Sequence, residues 1–279
     1  MAYKSMLTIL TESDDVAPVL DAAIGFAEAE GAHLDVLCIG IDRTQTGYYF
    51  AGATALMHEE TLAQAQNEAT RIEKEARDRL NKAGISWGVE ALVAQSASVT
   101  TIVARRARFA DLVLLPKPYG ENLPADAPVV VEAAMFQGHA PVLVLSEGSP
   151  PAANPQKIVI AWNESPEAME AVRRALPLLV SAKQVSICMV APERHASETA
   201  DPGSELSKML TRHGANVEVC LQPLTLPRVS EVIARHVEDI DADLLVMGAY
   251  GHSRFREAIL GGATRNMLEH AKVPVFMAH

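Results

Sequence analysis

The clearest pattern in the chain is Ala242-Asp243-Leu244-Leu245-Val246-Met247-Gly248-Ala249-Tyr250-Gly251, an apolar run that ends at two closely spaced glycines. After nine intervening residues the chain reads Gly261-Gly262-Ala263-Thr264. The apolar run is typical of a buried parallel strand. Because glycine has no Cβ, backbone N–H groups in such a loop can approach a phosphate closely. The pattern therefore predicts a strand, a glycine-rich loop and a helix, in that order.

The same order of elements occurs twice along the chain. Met6–Ser13 aligns with Ile158–Ser165 when Glu12-Ser13 is placed on Glu164-Ser165. In both halves a short apolar strand ends in a polar turn, and an alanine-rich amphipathic segment follows. Apolar strands that alternate with helices indicate a parallel sheet. We therefore predict two tandem Rossmann-like, doubly wound α/β domains, each with a five-stranded parallel sheet flanked by helices.

Each half is predicted to supply five strands and several helices. The strands are predicted near 6–11, 34–39, 89–93, 110–115 and 141–145, and near 158–162, 185–190, 217–221, 242–247 and 274–277. The helices are predicted near 16–30, 55–82, 99–110, 166–180, 204–212, 229–240 and from 261 onwards. A proline-rich linker at Glu147–Pro155 separates a first domain, 1–147, from a second domain, 156–279.

The composition excludes several classes of protein. The 279-residue chain carries a formal net charge of −11, which argues against a surface for nucleic acid or an anionic membrane. No segment reaches the ~20 uninterrupted apolar residues of a membrane helix, and the first residues lack the apolar core of a signal peptide. The three cysteines form no CxxC pair and are expected to be free thiols. We therefore expect a cytoplasmic protein with neither nucleic-acid nor membrane partners.

Three pieces of the second half are predicted to meet in one crevice. In open α/β sheets, ligands bind beyond the carboxyl ends of the strands, where the strand order reverses. The ends of the first two strands and the glycine segment should converge there. The candidate nucleotide-binding residues are Ala161, Trp162, Asn163, Val190, Gly248, Tyr250, Gly251, His252, Gly261, Gly262, Ala263 and Thr264.

Each part of this crevice offers a different contact. Gly251 could admit a phosphate against the main chain, and the helix that starts at 261–264 offers free N–H groups and a positive dipole end. The Thr264 hydroxyl could add a donor. Asn163 could hydrogen-bond a ribose or a base edge, and Val190 could present main-chain groups to adenine. For His252, a contact with a γ-phosphate and an ordinary surface position both remain open.

This glycine pattern resembles that of the universal stress proteins, and the whole chain resembles a tandem member with two such domains fused. Gly248, Gly251 and Gly261 match the three glycines of the family motif Gly-x2-Gly-x9-Gly, which a Ser or Thr follows. The resemblance implies that ATP, alone or with Mg²⁺, binds in the second half, with its triphosphate at the glycine segment. It also implies that the fifth strands, 141–145 and 274–277, pair and join the halves into a pseudo-dimer.

The second half departs from the family pattern at two positions. Gly262 occupies the Ser/Thr position, and Asn163 aligns with the acidic residue that ATP-binding members usually carry at the end of the first strand. Glycine keeps the backbone N–H and loses only a hydroxyl contact. An amide can both accept and donate hydrogen bonds, although it serves a ribose hydroxyl or a metal less well than a carboxylate.

The first half lacks the glycine segment. Pro116-Lys117-Pro118-Tyr119-Gly120 and the proline-containing stretch 124–128 stand in its place, and only Gly120 and Gly138 remain nearby. Proline removes N–H donors and restricts φ, which is unfavourable for a phosphate cradle. We therefore expect the first half, with its degenerate nucleotide motif, to be an architectural partner or to bind something other than a triphosphate.

The resemblance implies a stress-response protein in which ATP acts as a regulatory or conformational ligand. Two alternatives remain open: a nucleotide-free interaction scaffold, and a weak ATPase. The sequence contains no catalytic constellation, and its histidines lack partners at metal-ligand spacing, so neither catalytic residues nor a metal site is predicted. A homodimer of whole chains also remains open.

Overall fold

The structure is a computed structural model that describes residues 3–43, 54–120, 123–146, 154–191, 203–249 and 262–279. These residues form two compact units. The first unit contains 3–43, 54–116 and 123–140, and the second contains 117–120, 141–146 and all the described residues from 154 onwards. Each unit is a largely parallel sheet flanked by helices, which confirms the predicted α/β class.

The first unit contains four parallel strands in the order β3-β2-β1-β4. The strands are β1 (Ser5–Leu10), β2 (His33–Asp42), β3 (Ser86–Gln95) and β4 (Leu112–Leu115). The helices are α1 (Val16–Glu30), α2 (Thr54–Leu80), α3 (Ser96–Ala107) and α4 (Ala127–Glu132), with a 3-10 turn at Ser13–Asp15 and a π-helical turn at Ala133–Gln137. The order reverses between β1 and β4, as in doubly wound sheets.

The second unit repeats this order in β8-β7-β6-β9 and adds two strands, β10 and β5. Its sheet runs β5-β10-β9-β6-β7-β8, and all neighbouring pairs are parallel except β5 with β10. The strands are β5 (Val142–Val144), β6 (Lys157–Ala161), β7 (Gln184–Val190), β8 (Val217–Gln222), β9 (Leu244–Gly248) and β10 (Val275–Ala278). The helices are α5 (Pro166–Ser181), α6 (Ser204–Arg212), α7 (Val229–Asp239) and α8 (Ala263–His270).

Strand β5 comes from the first half of the sequence but belongs to the second unit. It lies antiparallel to β10, with Val144 opposite Val275 and Val142 opposite Met277. All residues of both strands are buried. The pairing expected between the fifth strands of the two halves is therefore confirmed.

The acidic residue just before β4 and just before β9, each in an otherwise apolar run, has a structural role. The Asp111 carboxylate accepts hydrogen bonds from the backbone N–H groups of Lys4 and Ser5, at 2.8 and 2.9 Å. In the second unit the Asp243 carboxylate accepts from Gln156 and Lys157, at 2.6 and 2.9 Å. Each carboxylate thus satisfies two N–H groups at the entrance of the central strand, and the two halves share this device.

Helix α2 packs through one narrow apolar face. This face is the buried stripe Ala65, Ala69, Ile72, Ala76 and Leu80. Leu62, one turn before the stripe, is 44% exposed. Arg77 pairs with Glu73 on the solvent side. Among the described residues, no helix combines the length and the apolar composition needed to cross a bilayer.

Candidate functional site

The register of the second sheet brings the predicted strand ends together. Ala161, the last residue of β6, lies opposite Met247 of β9 on one side and Cys188 of β7 on the other. Gly248 follows Met247 directly and ends β9. Because the strand order reverses between β6 and β9, this edge is the crevice where open α/β sheets bind ligands.

Gly248 permits a close approach between β9 and the start of α5. A Cβ atom at this position would lie 2.4 Å from the Ala168 nitrogen and 2.6 Å from the Glu167 carbonyl carbon. Both are backbone atoms, which cannot move aside as a flexible side chain can. Packing of α5 against the strand therefore requires glycine here, whatever ligand the crevice holds.

The turn after β6 presents an amide to the crevice edge. The Trp162 N–H donates to the Cys188 carbonyl at 2.9 Å, and its side chain is buried. Asn163 is exposed, and its Oδ1 accepts from the Ser165 N–H at 3.2 Å. The Ser165 hydroxyl caps α5 by accepting from the Ala168 N–H at 3.1 Å. The Asn163 oxygen is thus engaged in the turn, whereas its Nδ2 donor makes no hydrogen bond to any described residue.

The end of β7 places main-chain groups at the same edge. Val190 is half-buried and lies opposite Gln222 of β8. The next N–H, that of Ala191, donates to the Gln222 carbonyl at 2.8 Å, and Ala191 has a φ of 43°. The end of β7 at Val190 is thus followed by a residue with a positive φ.

Helix α8 begins at Gly262, which is its N-cap. Gly262 has a φ of −52° and a ψ of 154°, and no side chain caps the helix. Ala263 is exposed, whereas Thr264 is only 3% exposed, so its side chain faces the interior. The Ser230 hydroxyl donates to the Asn266 Oδ1 at 2.8 Å and ties α8 to α7. The first N–H groups of α8 remain the donors that this helix end offers an anion.

A residue from the middle of the chain reaches the same helix. The Cζ atom of Arg265, in the first turn of α8, lies 5.1 Å from the centroid of the Tyr119 ring. Residues 117–120, which include Tyr119, group with the second unit. In the sequence of the first half they stand where the second half has its glycine segment. Nothing in the sequence pattern indicated this contact.

Four predicted site residues lie outside the described residues: Tyr250, Gly251, His252 and Gly261. Their roles stay predictions from the glycine motif. Within the described part of the chain, no cluster of His, Cys, Asp and Glu has the makings of a metal site.

In the first unit, a charged network occupies the corresponding edge of the sheet. Arg43 follows β2, and its guanidinium donates to Glu12 at 2.8 Å and to Asp126 at 2.7 Å. Glu12 follows β1, and Asp126 precedes α4. One side chain therefore ties together the ends of β1 and β2 and the segment that stands in place of the glycine loop.

This first edge is also acidic. The Ser13 N–H donates to the Glu68 carboxylate at 2.8 Å, so an anion already occupies that backbone donor. Burial, together with the charges of Glu12 and Asp14, raises the pKa of Asp15 to about 6. Gly138 serves packing, since a Cβ there would lie 2.4 Å from the Ala134 carbonyl oxygen and 2.7 Å from the Ala107 Cβ.

A buried Ser–His pair in the second unit is structural and not catalytic. The Ser186 Oγ lies 3.0 Å from the His236 Nε2, and the Gln222 Nε2 donates to the His236 Nδ1 at 3.3 Å. Ser186 is 0% and His236 is 5% exposed, so no substrate reaches the pair. Burial lowers the pKa of His236 and favours the neutral ring.

Comparison with known proteins agrees with this geometry. Residues 154–279 match the universal stress protein family. The universal stress protein Slr1230 of Synechocystis is 40% identical over 68 residues, which cover 24% of this chain and 23% of that protein. The matched segment thus spans under a quarter of the relative's length.

Two solved structures share the fold over nearly the whole chain. A universal stress protein from Archaeoglobus fulgidus has a TM-score of 0.65 at 17% identity, covering 98% of this chain and 95% of its own. A protein of unknown function from Pseudomonas aeruginosa has a TM-score of 0.60 at 16% identity, covering 99% and 92%. The second half, residues 154–279, thus matches the universal stress protein family, and the first half repeats the strand order of the second.

Proposed function

We propose that the second unit binds ATP and that ATP acts as a regulatory ligand of this stress protein. The observation that carries the proposal is the pairing of Ala161 with Met247, which sets the end of β6 beside the first glycine of the motif at the reversal of strand order. The sequence then continues through the rest of Gly-x2-Gly-x9-Gly into α8. The ends of β6 and β9 therefore lie side by side, where the motif begins.

Several groups of the described residues suit an adenine nucleotide and support the proposal. The start of α8 offers backbone N–H groups and the positive end of a helix dipole to phosphate oxygens. The Asn163 Nδ2 is a donor for a ribose or base acceptor, and the main chain at Val190 borders the same edge. The Thr264 side chain is buried, so Ala263 and Gly262 contribute through their backbones. Mg²⁺, if it accompanies ATP, is held by the phosphates and water more than by the protein.

A regulatory role suits these residues better than catalysis. A ligand shifts a conformational equilibrium only by its difference in affinity for the two states, and a loop that contacts phosphate provides such a difference. Hydrolysis would in addition require a general base aligned with an attacking water. The free thiols Cys38, Cys188 and Cys220 support our proposal of a cytoplasmic location.

Gly262→Asp tests the proposal at the helix start. A carboxylate at an N-cap stabilises a helix, so the free energy of unfolding should be unchanged or slightly higher. The same negative charge repels phosphate, so we expect ATP affinity to fall at least about tenfold. Gly262→Asn is the matched control, because it has nearly the same shape without the charge and should keep the affinity within about threefold. Titration calorimetry with ATP and urea unfolding measure the two quantities.

Three outcomes decide between the alternatives. Equal loss of affinity in the Asp and Asn variants contradicts a phosphate at this helix start. A wild-type chain that shows no heat with millimolar ATP, and releases no adenine nucleotide on denaturation, is an interaction scaffold. Release of ADP that is faster in the wild type than in Gly262→Asp supports the weak ATPase instead.

A further inference from the structure

We propose that Tyr119, a residue of the first half of the sequence, positions Arg265 to bind the phosphate groups of the nucleotide in the second unit. The inference rests on the proposed function and adds a positioning residue that the glycine motif does not contain. It also assigns a role to the segment that replaced the glycine loop in the first half.

The first observation is the contact itself. The Arg265 guanidinium lies over the Tyr119 ring, with 5.1 Å between Cζ and the ring centroid. A cation within about 6 Å of an aromatic face is attracted by the ring quadrupole. Arginine stacks on such a face while the edge of its planar fork keeps its N–H donors free, and that fork matches phosphate oxygens.

The second observation is the place of Arg265 in α8. It lies in the first turn, three residues after the N-cap Gly262. The Cα–Cβ bonds of a helix tilt toward its N-terminus, so from this position an arginine can reach the end at which a phosphate would bind. A positive charge is unfavourable beside the positive end of the helix dipole. None of the carboxylates that the structure describes pairs with Arg265, and the Tyr119 ring lies beside its guanidinium. A bound anion would supply the opposite charge.

The third observation is how Tyr119 is held. It is half-buried and follows Pro118, which is buried, and Pro116 precedes them by two positions. Two prolines restrict the backbone of this segment and lower the entropic cost of holding the ring in one place. The segment 117–120 groups with the second unit and not with the strand β4 that it follows. The first half has therefore lost its own phosphate loop and supplies a support for the phosphate site of the second.

The ligand class follows from this chemistry. Arg265 recognises phosphate, so Tyr119 should affect the affinity for ATP and leave that for adenosine unchanged. Titration of the full chain with both ligands separates a positioning role from a general structural one. The variants are Tyr119→Leu, which keeps apolar bulk without a π face, Tyr119→Phe, which keeps the ring, and Arg265→Gln, which removes the charge.

We expect Arg265→Gln to weaken ATP binding at least about tenfold, since it removes a charged hydrogen-bond donor. Tyr119→Leu should weaken ATP binding about threefold, whereas Tyr119→Phe should retain wild-type affinity. The affinity for adenosine should be the same in all variants. In the Arg265→Gln background, Tyr119→Leu should have no further effect, because the two side chains act as one unit.

The contrary outcomes are distinct. Unchanged ATP affinity in Arg265→Gln, or an undiminished effect of Tyr119→Leu in its background, overturns this inference while the proposed function stands. Equal loss of ATP and adenosine affinity in Tyr119→Leu shows a structural role and overturns it as well. If Tyr119→Leu fails to fold, Arg265→Gln on the surface still decides the question. A wild-type chain without ATP affinity overturns both proposals.

Discussion

The two units end their sheets in the same way but present opposite chemistry at the carboxyl edge. In the first unit, the Arg43 guanidinium bridges Glu12 and Asp126 across that edge. In the second unit, the corresponding edge carries the exposed Asn163 amide and Gly248, and no side chain of the described residues caps α8. The strand order of the two units is the same, so the sheet alone does not create a binding site.

The difference lies in the few residues that follow each strand. Burial, together with the charges of Glu12 and Asp14, raises the pKa of Asp15. The Glu68 carboxylate already accepts from the Ser13 N–H, so a nucleotide phosphate would meet negative charge at this edge. The second edge leaves backbone donors for an anion. The two units thus share a strand order and differ in the charged residues at this edge.

The largest effect on stability is expected at Gly248. Gly248→Ala places a Cβ within 2.4 Å of the Ala168 backbone, so we expect the free energy of unfolding to fall by about 3 kcal/mol. Gly138→Ala, with a contact of 2.4 Å to the Ala134 carbonyl oxygen, should cost the first unit a similar amount. Urea unfolding followed by circular dichroism measures both.

Gly25→Ala is the matched control for these two variants. Gly25 lies within α1, and a Cβ there would have no heavy atom within 4 Å. Alanine is the better helix former, so this variant should gain up to about 1 kcal/mol. If Gly248→Ala unfolds like the wild type, close packing of α5 on β9 is not the reason for a glycine at that position.

A smaller effect is expected for Asp15→Asn, which tests the acidic character of the first edge by removing one of its carboxyl groups. The pKa of Asp15 is raised from 3.8 to about 6, so the folded state favours the protonated carboxyl. The stabilising effect of that proton is complete below pH 3.8 and is lost as the pH rises through about 6. At pH 7 to 8 the neutral amide should therefore stabilise the protein, by about 1 kcal/mol after allowance for solvent screening.

The pH dependence provides the check on Asp15. The gain in Asp15→Asn should vanish below about pH 4, where the native carboxyl is protonated in both the folded and the unfolded state. Asp14→Asn is the comparison, because Asp14 is exposed and acts on Asp15 only through its charge, so its gain at pH 7 to 8 should be smaller than that of Asp15→Asn. A gain that persists unchanged at low pH would show that relief of charge is not the cause.

The smallest effect is expected for Arg43→Gln. The Arg43 side chain is about half exposed, so losing its two ion pairs should destabilise the first unit by only about 0.5 to 1 kcal/mol. Concentrated salt should shrink the difference, since screening weakens the same pairs in the wild type. ATP affinity should not change. A gain of nucleotide binding in this variant would mean that the network blocks a competent site, contrary to the comparison drawn above.

Local sequence patterns were sufficient to predict most of the fold. The helices predicted at 16–30 and 204–212 are α1 and α6 residue for residue, because their apolar positions recur at the helical period. The predicted pairing of the fifth strands was also confirmed, but it came from the family resemblance and not from the residues themselves.

Contacts between distant segments could not be predicted. Arg43, Glu12 and Asp126 are ordinary polar residues in turns, and nothing in their spacing indicates that they meet. Helix α4 begins at Ala127 within a proline-containing stretch, which predicted only the loss of N–H donors. Tyr119 belongs to the other proline segment, Pro116–Gly120, and its contact with Arg265 depends on tertiary structure alone. Long-range geometry of this kind leaves no periodic trace in a single sequence.

The antiparallel pairing of β5 with β10 has a consequence for any attempt to divide the protein. A fragment that starts at residue 154 matches the family, yet it lacks β5 and leaves one side of β10 without hydrogen-bond partners. Every residue of β10 is buried, so the exposed edge would be a template for aggregation or for pairing with another copy. A split version of the gene would have to assign 141–146 to the second fragment, although the linker in the sequence lies after them.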